Sequence, residues 1–272
     1  DLVSVGFSEG EILASSIDNM LAFIGEYIST DARDAFAAYL SSIIDSAPVL
    51  SAMGLDEIAL TKVNEMIEGL LNSYDEGGWI PKWPSPGYSN IMHGTHGDAV
   101  IADAYIKGLR NYDVEKAMEA MMKNATQPGT GHYIARLGIE DFIKLGYVPT
   151  DKWGESVIRT LEFAYDDFCI AQMAKEMGKE DIYNDLMKRS MNYINVLDPE
   201  TKFIRGKNSD GTWRDKKDQA ISIWARGTER DRDTYYRNIT YFVPHDVQGL
   251  ANFMGGNKQL EEHLDYFFAN EY

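Results

Sequence analysis

Apolar side chains recur at three- and four-residue steps along nearly the whole chain, and this spacing commits it to helices. Ile12, Leu13, Ile17, Met20, Leu21, Ile24 and Ile28 form one such stripe, and a second helix is predicted from Thr30 or Asp31 to Ile44. Further helices are predicted over Asp56–Tyr74, Ala99–Leu109, Val114–Met122, Ser156–Met177, Asp181–Leu197 and Lys258–Phe268. Asp113 is placed to cap the fifth of these eight and Asn257 the last. Asp198-Pro199 ends the long partner helix, residues 198–242 read as loops and short strands, and Pro244 suits the first turn of a helix that Gly255-Gly256 stops after Met254. Periodicity by itself specifies a mostly α-helical chain of paired helices.

The 272 residues, 44% of them hydrophobic, suffice for a core in one or two domains. A net charge of −17 argues against nucleic acid and anionic membranes as partners, since both call for Lys and Arg clusters. Cys169 is the only cysteine, so no intramolecular disulfide forms, and its place on the apolar side of a helical pattern reads as a buried structural thiol. No stretch reaches the about 20 apolar residues of a membrane span. The chain opens on Asp1 without Met or a leader pattern, as expected of a processed or trimmed product. Oligomeric state is not specified.

Chemistry is concentrated between Gly77 and Gly108, GGWIPKWPSPGYSNIMHGTHGDAVIADAYIKG. Trp79, Trp83 and Tyr88 flank prolines that stiffen the backbone, and rigid aromatic faces suit the apolar face of a sugar ring. Covering helix ends is the competing role. Lys82 is positioned to meet a hydroxyl. His93, His96 and Asp98 invite either a metal site, which would need another ligand, or hydrogen bonding to substrate or to the next helix N-terminus. Glu162, Asp166 and Asp167 stand at i, i+4 and i+5 of one helix, the first two on a shared face. They read either as hydroxyl-binding acids or as acids favoured by a helix N-terminus.

Three blocks carry a family resemblance. The Gly77–Gly108 run, the block TLEFAYDDFCIAQMAKEMGK from Thr160, and YFVPHDVQGL (Tyr241–Leu250) are similar, in the same order, to segments of the glycoside hydrolase family 92 α-mannosidases. The resemblance implies an α/α toroid over residues 1–272, of (α/α)6 type, with residues 1–8 a remnant of a preceding β-sandwich. It implies an exo-acting, inverting α-mannosidase of mannose-containing glycans, dependent on Ca²⁺ and located outside the cytoplasm. The substrate contacts would be Trp79, Lys82, Trp83, Tyr88, His93, His96, Asp98, Glu162, Asp166, Asp167, His245 and Asp246.

The family's catalytic acid sits in a Tyr-Thr-Glu-Gly-Asn motif about ten residues before FVPHD. Ungapped counting puts Asp233 there, while the local Thr-Glu pair is Thr228-Glu229. Asp233 and Glu229 are therefore the candidate acids, and solvated charge in the run Glu229–Asp233 is the competing reading. The family's Trp-Asp-Thr-Phe-Arg signature would align with Leu40–Ile44, which shares none of its functional groups. Its Asn-Glu-Pro-x-x-His motif, its base and its Ca²⁺ residues have no counterpart before Tyr272. The chain is thus expected to be a portion of a larger enzyme, or else a non-catalytic, carbohydrate-binding or structural relative.

Overall fold

The computed structural model describes residues 55–82, 88–89, 91–129, 135–214 and 239–269. The chain divides into two compact units, Asp1–Val63 and Asn64–Tyr272. The two predicted N-terminal helices and residues 1–8 lie outside the described residues, as do Trp83, Glu229 and Asp233.

Helices dominate the described residues: α1 (Leu55–Gly77), α2 (Gly97–Ile106), α3 (Val114–Thr126), α4 (Ile139–Leu145), α5 (Ser156–Glu176), α6 (Glu180–Ser190), a 3-10 turn over Met191–Val196, α7 (Val247–Met254) and α8 (Asn257–Ala269). Their ends are chemically marked. Asp113 accepts the Lys116 amide at 3.0 Å at the start of α3. Gly178, at φ +71°, lets the chain turn after α5, and the Lys179 amide returns to the Ala174 carbonyl at 2.8 Å. That short connection folds α6 back along α5, the kind of helical hairpin that an α/α toroid repeats.

Helix α5 is the centre of the larger unit. Val157, Leu161 and Ala164 pack with Tyr147, Tyr193, Val196, Leu197, Ile204, Val243, Leu250 and Met254 in one core cluster. Phe163 faces another, with Ile139, Phe142 and Val148. A helix with apolar neighbours on more than one side has to carry its acids inward too, and each must then find a buried partner.

Several expectations change. The predicted partner helix to Leu197 breaks at Ser190 into the 3-10 turn. The described part of 198–242 holds isolated bridges, Leu197 with Ile204 and Lys207 with Trp213, in place of short strands. Pro244 precedes α7 rather than opening it, because Asp246 takes the cap by accepting the Gly249 amide at 2.9 Å. Helix α4 has no long periodic stripe to betray it; it is bounded by Gly138 and Gly146, both at positive φ. Helix α5 starts at Ser156 as predicted, but Glu162, Asp166 and Asp167 then lie well past its first turn, so the reading of them as acids favoured by its N-terminus fails.

Candidate active site

The loop leading into α2 lies on the acidic face of α5. The Gly94 amide donates to Glu162 Oε2, and the Thr95 amide donates to Asp166 Oδ2 at 2.7 Å. Gly94 is required by this close approach: a Cβ there would lie 2.9 Å from Glu162 Oε2, 3.0 Å from Asp166 Oδ2 and 2.8 Å from His96 Cε1.

His96 is the outlet of this arrangement. Its Nδ1 meets Asp166 Oδ1 at 2.7 Å and its Nε2 lies 3.5 Å from Glu162 Oε2, while 38% of the side chain stays exposed. Burial disfavours the imidazolium, but the hydrogen bonds and charges of Asp166 and Glu162 outweigh it and raise the pKa to about 10. His96 is therefore a charged donor near neutrality. Aromatic rings stand around it, Tyr165 at 6.1 Å and Phe242 at 6.4 Å between centroids, with 5.7 Å between those two.

Beneath the loop lies a buried ionic network. Asp98 accepts Thr95 Oγ1 at 2.6 Å and Asn124 Nδ2 at 3.0 Å. Arg136 donates to Thr95 Oγ1 at 2.9 Å, to Asp167 Oδ1, and toward Asp98 Oδ2 at 3.4 Å. Arg189 Nη2 pairs with the other Asp167 oxygen at 2.9 Å. Burial pushes Asp98 up to about 7 against the pull of Arg136. Burial pushes Asp166 the same way, yet His96, Arg136 and the Thr95 amide bring it below the usual carboxylate range.

A second group adjoins the first. His93 Nε2 meets Glu155 Oε2 at 2.7 Å, and Arg159 Nη2 reaches the same oxygen at 3.2 Å. Lys82 is buried close by; its ammonium lies 3.5 Å from the Met92 carbonyl, and burial, aided by Arg159, lowers its pKa to about 8.

The sequence-derived candidates thus separate. Lys82, His93, His96, Asp98, Glu162, Asp166 and Asp167 gather around one loop. His245 joins through Tyr165, 6.1 Å away, but its Nε2 is directed at the Ser190 carbonyl at 2.9 Å and burial lowers its pKa. Asp246 caps α7 and accepts the Tyr193 hydroxyl at 2.6 Å. Trp79 is buried with the Lys123 ammonium 4.6 Å from its ring centre, and the Tyr88 hydroxyl lies 2.8 Å from both the Trp79 and Ser73 carbonyls. These contacts tie the loop to the end of α1. Cys169 is half-buried rather than buried, and burial pushes its thiol up to about 12, which keeps it un-ionised.

Sequence reasoning missed Arg136, Arg189, Asn124, Glu155 and the Tyr165–Phe242 frame. Glu155 alone carries a local signal in the structure, a positive φ of 55° immediately before α5. Among the described residues no group of three or more His, Cys, Asp or Glu is disposed to hold a metal ion. Glu162 and Asp166 are already engaged by imidazole and amides and Asp167 by arginines, so they do not fit a calcium cage, which needs six to eight oxygens (about 2.3–2.6 Å from the ion).

The glycosyl hydrolase family 92 catalytic domain matches residues 54–272. An uncharacterized secreted glycosidase of Arthroderma benhamiae is 30% identical over 226 residues, 72% of this chain and 29% of that protein. A family GH92 inverting mannosidase of Bacteroides thetaiotaomicron has a TM-score of 0.66 at 35% identity, covering 73% of this chain and 26% of its own. A family GH92 α-mannosidase of the same organism gives 0.65 and 36%, covering 76% and 27%. The chain spans less than a third of the length of each of these relatives. With the helical architecture and the family model covering most of its length, the chain belongs to glycosyl hydrolase family 92.

Proposed function

We propose that this chain forms part of the substrate-binding wall of an exo-acting α-mannosidase that cleaves mannose from glycans with inversion. The observation that carries this reading is His96: a half-exposed imidazolium, fixed by Asp166 and Glu162 and framed by the rings of Tyr165 and Phe242. A pyranose asks for that pairing, since its C–H face stacks on aromatic rings while its hydroxyls seek directional polar groups. The fixed charge needs no reorganisation when a sugar hydroxyl arrives. Asp233 or Glu229 is the proposed general acid, and a second carboxylate of the complete catalytic domain would activate water roughly 6.5–9.5 Å away.

Ca²⁺ belongs to this proposal as cofactor of the complete catalytic domain; no step is assigned to it, because the described carboxylates do not form its cage. Export from the cytoplasm follows the secreted glycosidase of Arthroderma benhamiae.

The test is hydrolysis of α-1,2-linked mannobiose followed by proton NMR, with Ca²⁺ and then with a chelator. Early appearance of β-mannose, lost on chelation, supports the whole reading. Early α-mannose refutes inversion. A folded protein that binds mannose but releases none replaces the enzyme with a sugar-binding relative.

A further inference from the structure

Arg136 is the largest fully buried side chain of the described residues, and no sugar reaches it. Its guanidinium nonetheless touches three parts of the candidate site at once. Nε donates to Thr95 Oγ1 at 2.9 Å, Nη1 to Asp167, and Nη2 approaches Asp98 Oδ2 at 3.4 Å. From Thr95 the chain of contacts continues outward: the Thr95 amide reaches Asp166 Oδ2 at 2.7 Å, and Asp166 Oδ1 meets His96 Nδ1 at 2.7 Å. The path from Arg136 to the half-exposed imidazole contains no loose joint, since Thr95 is 1% exposed and Asp166 0%.

We propose that Arg136 is a positioning residue for His96, clamping Thr95 and Asp98 from beneath so that Asp166 holds the imidazole toward the substrate. This rests on the reading of His96 as a substrate contact. The planar fork matters because acceptors on the 94–98 loop and on α5 are engaged in one plane, which a point-like ammonium on a flexible stem does not reproduce. A purely space-filling role would need only bulk, such as packing on the ring of Phe163, 5.4 Å from the guanidinium carbon, and would not need the hydrogen bonds. The groups that face His96 are Glu162, Asp166 and Tyr165 from α5 and Phe242; His93 shares Glu162 with it, and His245 stands behind Tyr165.

The test follows the His96 ring nitrogens by NMR through pH in the wild type, in Arg136→Lys, and in Thr95→Val and Thr95→Ser. Arg136→Lys and Thr95→Val are expected to lower the His96 midpoint by at least about one pH unit, a tenfold change in protonation. Thr95→Ser, which keeps the hydroxyl, is expected to restore it. Where hydrolysis is measurable, kcat falls in Arg136→Lys more than KM rises. A folded Arg136→Lys or Thr95→Val with wild-type His96 titration overturns the proposal; should Arg136→Lys not fold, the Val and Ser pair decides alone. A wild type that neither hydrolyses nor binds mannosides refutes the functional reading but leaves the titration result to judge Arg136.

Discussion

Replacing Gly94 by Ala adds one methyl group where the loop rests on α5. The new Cβ would lie 2.8–3.0 Å from His96 Cε1, Glu162 Oε2 and Asp166 Oδ2, closer than a carbon tolerates. Neither carboxylate is free to swing aside, because Asp166 is fully buried and bound to the Thr95 amide and His96, and Glu162 holds the Gly94 amide. Overpacking of this kind costs about 1–3 kcal/mol. Loss of a hydrogen bond to a charged group adds about 1.5–3 kcal/mol. Gly94 has no positive φ, so the effect is steric rather than conformational. We expect urea denaturation to show a loss of about 2.5–6 kcal/mol from these two sources together. Gly69→Ala is the internal control. Gly69 sits exposed in α1 with nothing within 4 Å of a built Cβ, so Ala should stabilise by about 1 kcal/mol through helix propensity. The reasoning fails if Gly94→Ala unfolds within about 0.5 kcal/mol of the wild type, the range of ordinary surface changes.

Other expectations follow from the same geometry. Asp167→Ala strands the Arg136 and Arg189 guanidiniums in the interior and should cost about 3–5 kcal/mol in the same denaturation assay; a loss below about 1 kcal/mol would show that the pairing is not needed. Asp246→Ala removes the α7 cap, about 1–2 kcal/mol, and leaves the buried Tyr193 hydroxyl without its acceptor, about 1–3 kcal/mol more. A thermal melt no lower than wild type would contradict both roles. His96 has a folded pKa raised from 6.5 to about 10, so its contribution is fully present below pH 6.5 and is lost as pH rises through 10. Asp98, raised from 3.8 to about 7, works in the same direction at lower pH. Thermal stability of the wild type should therefore fall between neutrality and pH 10 more steeply than that of His96→Asn, and parallel curves would reject the assignment.

Helix by helix, the sequence was readable wherever local chemistry decides the outcome. Asp113 and the Gly255-Gly256 pair mark ends that the structure keeps, because caps and positive-φ glycines act within one turn. The gathering of His93, His96 and Asp98 at the loop that leads into α2 and of Glu162 with Asp166 on one face was legible for the same reason, spacing being a local property. The break at Ser190 was not: the apolar stripe runs through it, and only packing of Tyr193 and Val196 into the core distinguishes α-helix from 3-10 turn there.

What tertiary structure alone decided is the electrostatics. Arg136 and Arg189 come from separate segments and meet Asp167 only because α5 is surrounded, so no spacing rule names them. Trp79 looked like a sugar platform in sequence and became a buried anchor under Lys123, while Phe242, unremarked in sequence, stands beside His96. Short-range steric and hydrogen-bonding rules are written along the chain. Which charge is buried against which, and therefore which imidazole stays protonated, depends on contacts between residues dozens of positions apart, and those exist only once the helices have packed.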